Sequence, residues 1–425
     1  MKRVVCSCGL VLGLGYGIPA HAANGLNLIG VSAESIGMGG ADLAVARDTL
    51  ALNSNPAGLT QASTQRLDLA ATVAYALDIR HRDSLGNDAE VANNYVAAGS
   101  FGYTAPLNER GITWGIGFFA QGGAGYEYEG LNTTLGTRDT FSSQLGIAKL
   151  SVGAAMTVNP QVSLGASVAA SYARLERRIL PNTSVFTGNP ATSFFGYTID
   201  DASGFGFGAK LGMQYRSGPN QTWGIAYTSP TRLELNGEDL HSNQSALGLG
   251  LVRYNDVKIK GLGLPQEIGV GYALQQTPRL LWTVELNWLD WSAAMKTLNL
   301  HASQPASPLS PELNGTSANY WRDQYVFAIG LMYTPNDRTT WRAGYNYGRN
   351  PIPSENLSPL LAAITEHHLT FGVGLRLDDH WRTDLGVQYN IPNTVTYTNT
   401  ALPFGPNAQE TNELLLVQLL LNRTW

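Results

Sequence analysis

Cysteine is almost absent from this 425-residue chain: there are two, Cys6 and Cys8, both close to its start. The rest of the chain can build neither a disulfide framework nor a Cys-ligated metal site, which suits passage through an oxidising compartment. Charge is scarce too. Asp, Glu, Lys and Arg make up 14% of the residues, against about a quarter in an ordinary soluble protein. The net charge is a mild −5, and the basic residues form no block and no stripe interleaved with aromatics, so nucleic acid is not an expected partner. No apolar run reaches the roughly 20 residues that a membrane-spanning helix needs, although mean hydropathy is near neutral at −0.10. Catalytic signatures are missing as well: there is no G-x-S-x-G elbow, no H-E-x-x-H and no P-loop. His367 and His368 cannot chelate together from a strand, because neighbours there point to opposite faces. Gly204-Phe205-Gly206-Phe207-Gly208 imitates a nucleotide-binding fingerprint only superficially. A hydrolase built on a barrel rim is thus disfavoured; no enzyme activity, cofactor or metal is expected.

What is present is alternation with period two. In 381–391, Trp381, Thr383, Leu385, Val387, Tyr389 and Ile391 oppose Arg382, Asp384, Gly386, Gln388 and Asn390. In 204–215, Phe205, Phe207, Ala209, Leu211, Met213 and Tyr215 oppose four glycines, Lys210 and Gln214. The segments run longer than the five or six residues usual in soluble sheets. Their second face is small and polar, and glycine is abundant at 47. Fourteen such segments are expected, among them 65–80, 110–129, 220–238, 257–276, 279–301 and 410–425, joined by alternately short and long connections. Long loops are expected at 181–199, 239–256 and five other places. This is the pattern of an outer-membrane β-barrel, with short turns on one side and long loops on the other. The last strand ends on Trp425, with Leu421, Leu419, Val417 and Leu415 on its face. At the other end, Met1-Lys2-Arg3, an apolar stretch to Ile18 and Ala20-His21-Ala22 read as a signal peptide over 1–22, giving a mature start at Ala23.

One piece does not alternate. Residues 37–59, GMGGADLAVARDTLALNSNPAGL, carry clustered glycines, a short helix-like segment and Asn55-Pro56-Ala57, and Ala44 to Leu52 is too apolar for a solvated tail. Gly37-Met38-Gly39-Gly40-Ala41, Asp48 and Asn55-Pro56-Ala57-Gly58-Leu59 resemble the N-terminal plug of the FadL/TodX family of outer-membrane transporters of hydrophobic compounds. Leu264-Pro265, then Trp288-Leu289-Asp290-Trp291-Ser292, resembles a hairpin of that family. Trp341-Arg342-Ala343-Gly344-Tyr345 with Pro351-Ile352-Pro353, and Tyr172-Ala173-Arg174 with Glu176-Arg177, resemble two more of its segments, in the same order.

The resemblance implies an all-β membrane protein: a 14-stranded antiparallel barrel over 64–425, closed by a partly helical hatch over 23–63 containing Gly39, Gly40, Asn55, Pro56 and Ala57. It implies passive uptake of hydrophobic compounds, most of all long-chain fatty acids, through capture by external loops, transfer to a lumenal pocket and sideways exit through a kinked strand. Aromatic hydrocarbons are the alternative cargo, and an open porin or adhesin barrel the alternative function. For the kink, Gln121, Gly122, Gly123 and Gly125 stand out, since adjacent glycines cannot both face the lumen and instead mark a bulge. For capture, the long loops offer Phe194, Phe195 and Leu249, with Val185, Phe186, Leu247 and Leu251 nearby. For a carboxylate, the resemblance points to Arg177, with Arg174 or Arg178 as alternatives, and to Arg322 before the tenth strand. The partners expected are hydrophobic small molecules, outer-membrane lipid and the barrel-assembly machinery, with the barrel a monomer.

Overall fold

The computed structural model describes residues 24–107, 111–189 and 193–425. The signal-peptide reading, Ala23 and much of the first short turn lie outside these residues. Among the described residues no helix is long and apolar enough to cross a membrane. Strands do so instead. Fourteen of them close into one antiparallel barrel. They are β1 (Arg66–Arg82), β2 (Tyr95–Pro106), β3 (Ile112–Asn132), β4 (Arg138–Asn159), β5 (Val162–Val185), β6 (Phe194–Gly218), β7 (Gln221–Thr228), β8 (Glu267–Thr277), β9 (Leu280–Leu289), β10 (Gln324–Tyr333), β11 (Thr339–Gly348), β12 (His367–Arg376), β13 (Trp381–Tyr397) and β14 (Ala408–Thr424). The ring closes where β14 pairs with β1 from Arg66↔Thr424 to Arg82↔Gln409. Closure removes the free edges that an open sheet would expose to lipid.

The barrel is apolar outside and polar inside. On β13, Asp384, Gly386, Gln388 and Asn390 are buried, while Leu385, Val387 and Tyr389 on the opposite face are only partly covered. On β6, Phe205 and Phe207 are among the most exposed aromatics of the chain. His368 is buried and His367 exposed, as neighbours on one strand must be.

Three expected strands prove to be broken. The segment expected over 220–238 bends at Ser229-Pro230, and the one over 257–276 bends at Pro265-Gln266, because proline cannot donate to the ladder. The one over 279–301 is interrupted by a helical turn at Trp291–Ala294, capped by the Asp290 carboxylate. The pieces beyond these bends, Thr231–Gly237, Leu240–Asn243, Leu251–Leu264, Thr297–Pro305 and Leu313–Ala318, form a sheet extension on the long-loop side. Thr231–Gly237 crosses close over β6. A Cβ added to Gly204 would collide with the Glu234 carbonyl, and one on Gly206 with the Arg232 carbonyl. This crossing accounts for the glycine alternation that imitated a nucleotide fingerprint.

The expected loop 181–199 is also largely strand: β5 runs to Val185, β6 starts at Phe194, and the two residues pair. In 239–256, strands Leu240–Asn243 and Leu251–Leu264 leave only a short connection.

Residues 24 to 61 fill the lumen. Their one α-helix, α1 (Ala33–Gly37), is capped by the Ser32 hydroxyl, and 3-10 turns follow at Thr49–Leu52 and Pro56–Gln61. The apolar stretch from Ala44 to Leu52 is largely buried and ends in the 3-10 turn Thr49–Leu52. Pro56 starts a turn rather than ending a helix, since its missing N–H costs nothing at a first position. The wall accommodates this segment by withholding side chains. Gly102, Gly153, Gly212, Gly224, Gly344 and Gly386, from six different strands, meet Thr49, Leu52, Asn55, Leu43, Gly39 and Ala33 respectively.

Charges tie the segment down. Arg342, fully buried on β11, donates to Asp384 at 2.8 Å and to Glu34 of α1 at 3.0 Å. Glu34 also pairs with Arg47 at 2.6 Å. Burial works to raise the Glu34 carboxyl, but Arg47, Arg342 and two further arginines hold it well below the usual carboxylate range.

Candidate functional site

Among the described residues the wall is incomplete along the seam between β2 and β3. β2 and β3 pair from Pro106↔Thr113 to Phe101↔Phe118, and there the ladder stops. β3 continues, paired only with β4, and at Gln121 its register shifts by one residue. That extra residue is a bulge, which bends the strand and breaks pairing. Gly122 and Gly123 follow with φ of 156° and 147°. A Cβ on Gly122 would strike the Leu26 carbonyl, and one on Gly123 the Leu145 carbonyl. Side-chain and single backbone contacts replace the ladder at the two ends of the break. At one end Ala120 N–H donates to Ser100 Oγ at 3.1 Å. At the other, Ala92 N–H donates to the Glu127 carbonyl at 2.8 Å and Asn93 Nδ2 to the Gly125 carbonyl at 3.3 Å. Between them, residues 95–100 of β2 and 119–126 of β3 face each other without a ladder. Phe119, Ala124 and Tyr126 are buried where β3 leaves the wall.

Inside the break lies the start of the described chain. Asn27 forms a single β-bridge with Gly122. Leu26, fully buried, projects into a large apolar cluster that occupies the long-loop half of the lumen. Tyr126, Phe141, Leu235, Trp291, Trp321 and Phe404 belong to it, with the Trp291 and Trp321 rings 5.0 Å apart. Water-facing barrel interiors are polar; this half is instead filled by packed apolar side chains.

Next to the break is a cavity of about 90 Å³, bordered by Asn24, Asn27, Asn53, Gln121 and Lys210 and by the acidic Asp42, Glu267 and Glu285. Burial pushes the Asp42 carboxyl up to about 6, against the pull of Lys210. Glu285 accepts from Leu43 N–H at 2.8 Å and from Asn287 Nδ2 at 2.7 Å. Asn53 joins the cavity to the bulge, donating from Nδ2 to Gln121 Oε1 at 2.9 Å.

The residues singled out from sequence fall into separate places. Gln121, Gly122, Gly123 and Gly125 sit together at the break. Asn55 is fully buried; it donates to the Leu43 carbonyl at 2.8 Å and the Met213 carbonyl at 3.0 Å, and accepts from Ala57 N–H. Pro56 and Ala57 press on Gly165, and Gly39 on Tyr345, while Gly40 packs back on Ile29. Phe194 and Leu249 are half-buried against the apolar cluster, and Phe195 is half-buried beside Phe194.

The arginines separate. Arg174 is spent on Glu176 and Asp201, and Arg178 on Glu127. Arg177 lies on the same strand face as Ala173 and Leu175, donates to Ser143 Oγ at 3.3 Å and borders a cavity of about 30 Å³. Arg322 is not brought to it. Trp321 turns inward to Trp291, so its neighbour Arg322 turns outward and is exposed. Asp323 accepts instead from Trp288 Nε1 and Ser292 N–H. Three residues that the sequence reading passed over matter here: Leu26, Lys149 and Lys210. Lys210 was visible as the lone charge among glycines on the polar face of 204–215.

Comparison with known proteins follows this geometry. The family described as "Outer membrane protein transport protein (OMPP1/FadL/TodX)" matches residues 19–413. A long-chain fatty acid transport protein of Escherichia coli O6:H1 is 22% identical over 385 residues, 84% of each chain. Among solved structures, the Pseudomonas putida toluene transporter TodX superposes with a TM-score of 0.78 at 21% identity, covering 95% of this chain and all of that one. The Ralstonia pickettii toluene transporter TbuX gives 0.75 at 21% identity, covering 94% and 99%.

Proposed function

The chain belongs to the FadL/TodX family of outer-membrane transport proteins, channels for hydrophobic compounds, and from that premise we propose that it takes up long-chain fatty acids and releases them sideways into the bilayer. An apolar ligand gains nothing from a water-filled pore, whereas an apolar chamber lowers its free energy by about 25 cal/mol for each Å² removed from water. In this reading the ligand is caught at the long-loop end near Phe194, Phe195 and Leu249 and passes into the apolar cluster. It then leaves between β2 and β3. Residues 24–61 act as a plug, so that solutes do not leak. The observation that carries the proposal is the loss of the β2–β3 ladder beyond Phe101↔Phe118. An acidic cargo is favoured by the curated fatty-acid relatives and by Arg177, which among the described residues donates to the Ser143 hydroxyl and forms no ion pair.

The test uses the scarcity of cysteine. Ala98 stands on β2 along the break and is half-buried. Cells lacking their own transporter and expressing Ala98→Cys are assayed for uptake of radiolabelled oleate and toluene. The assay is repeated after a bulky methanethiosulfonate is attached, and again after reduction. The expected result is oleate uptake that labelling stops and reduction restores. Full uptake by the labelled protein refutes sideways exit. Toluene uptake without oleate moves the cargo to aromatic hydrocarbons, the class to which the ligand of the two toluene transporters above belongs.

A further inference from the structure

The lumen holds two lysines for which no carboxylate partner is built. Lys149 on β4 and Lys210 on β6 are each more than nine-tenths buried. Each donates once, to the plug segment: Lys149 Nζ to Asn53 Oδ1 at 2.9 Å, and Lys210 Nζ to the Ser54 carbonyl at 3.1 Å. An ammonium group has three donors, so each has unused capacity. Bordering both lies a small cavity of about 10 Å³, room for about one water-sized atom until Asn53 gives way. Its border includes both lysines and the hydroxyl-bearing Ser151, Ser167, Thr228 and Thr231, and no acidic residue. Two ammonium groups with hydroxyls and no carboxylate form an oxyanion cradle. Buried charges are normally paired because desolvation is costly. Lys210 shares the larger cavity beside the break with Asp42, Glu267 and Glu285, whereas the smaller one, with no acidic residue on its border, leaves its donors open to an incoming anion.

We propose that Lys149 and Lys210 hold the carboxylate of an acyl ligand on its way from the apolar cluster to the break in the wall; this rests on the transport function proposed above. The small cavity shares Asn53 and Lys210 with the larger one that reaches Gln121 of the bulge. A carboxylate in the cradle would displace the hold on Asn53, which is itself bonded to Gln121. The larger cavity is bordered by Asp42, Glu267 and Glu285 as well as by Lys210. Neither lysine is one of the arginines to which the family resemblance pointed.

The experiment measures binding of oleate and of its neutral analogue oleyl alcohol to the purified full chain. Wild type is compared with Lys149→Met/Lys210→Met and with Lys149→Arg/Lys210→Arg. The single Met variants and heat-modifiable gel mobility guard against misfolding. The expected outcome is a tenfold or greater loss of oleate affinity in the Met variant, oleyl alcohol within twofold of wild type, and recovery of oleate in the Arg variant. Equal loss of both ligands overturns the proposal in favour of a purely structural tie to Asn53 and Ser54. No change for either ligand also overturns it. Binding of chloride or inorganic phosphate that leaves oleate affinity untouched makes the cradle a small-anion site instead. Wild-type protein that binds neither lipid refutes the transport function itself, a result separable from all of these.

Discussion

Replacing Glu34 by glutamine tests whether the plug is held by charge. The substitution keeps the shape and removes the charge that Arg342 and Arg47 share. The Arg342 contact is the larger part, because its guanidinium is fully buried, whereas the Arg47 side chain is 36% exposed. A hydrogen bond to a charged group contributes about 1.5–3 kcal/mol, and a solvent-exposed ion pair about 0–1 kcal/mol. Arg342 keeps Asp384 at 2.8 Å, so no charge is left stranded. The docked plug should therefore lose about 2–3 kcal/mol, a roughly 30- to 140-fold rise in the undocked fraction at a tenfold per 1.4 kcal/mol. Single-barrel conductance in a planar bilayer reads that fraction directly as open time. The effect has a pH signature. The Glu34 carboxyl is held below its ordinary value of 4.5 in the folded protein; a depressed carboxyl contributes stability above its unfolded pKa and loses it as pH falls. The gap between wild type and Glu34→Gln should be full at neutral pH and shrink as pH drops below that value. Equal open times at pH 7 would refute the reasoning.

Two shorter predictions concern the break and the arginines. Gly122→Val drives a side chain into the Leu26 carbonyl and should lower oleate uptake at least tenfold with heat-modifiable mobility unchanged; normal uptake would mean that the bridge to Asn27 has no part in transport. Arg177→Gln should weaken oleate binding severalfold while Arg322→Gln leaves it unchanged, because only Arg177 faces inward; equal effects, measured by oleate titration, would contradict that placement.

Period-two alternation made the barrel legible, because lipid and lumen impose opposite demands on successive residues of one strand. The same local signal could not show where a strand stops following the cylinder. Pro230 and Pro265 were in plain view, yet alternation continues through both, so the bent extension read as simple long strands. The kink was legible for a different reason: Gly122 and Gly123 are adjacent and break the alternation itself. Lumenal partners were the least legible. Arg322 looked equivalent to Arg177 in sequence, but its orientation depends on Trp321 packing against Trp291, a contact set by the helical turn at Trp291–Ala294. Lys149 and Lys210 lie far apart in sequence, and the pairing of β4 and β6 to either side of β5 brings both to Asn53 and Ser54.

The glycines bear on how transport proceeds. Glycine in a strand interior costs about 0.5–1 kcal/mol relative to alanine, and strands avoid it. A wall that accepts this at Gly102, Gly153, Gly212, Gly224, Gly344 and Gly386 must be repaid by close packing, and each of these meets the plug. Expelling the plug would leave a glycine-lined lumen with neither side chains nor partner, and would break the Glu34–Arg342 pair as well. Asn27, beside the break, meets the wall through one bridge to Gly122. Transport should therefore proceed with the body of the plug seated. Thr60 and Ser163 allow a direct test, since their hydroxyl oxygens are 3.1 Å apart across the plug–wall boundary. Thr60→Cys with Ser163→Cys should form a disulfide that fixes the plug to β5, and oleate uptake should persist in the oxidised protein. Uptake that stops on oxidation and returns on reduction would show instead that the plug must leave its seat.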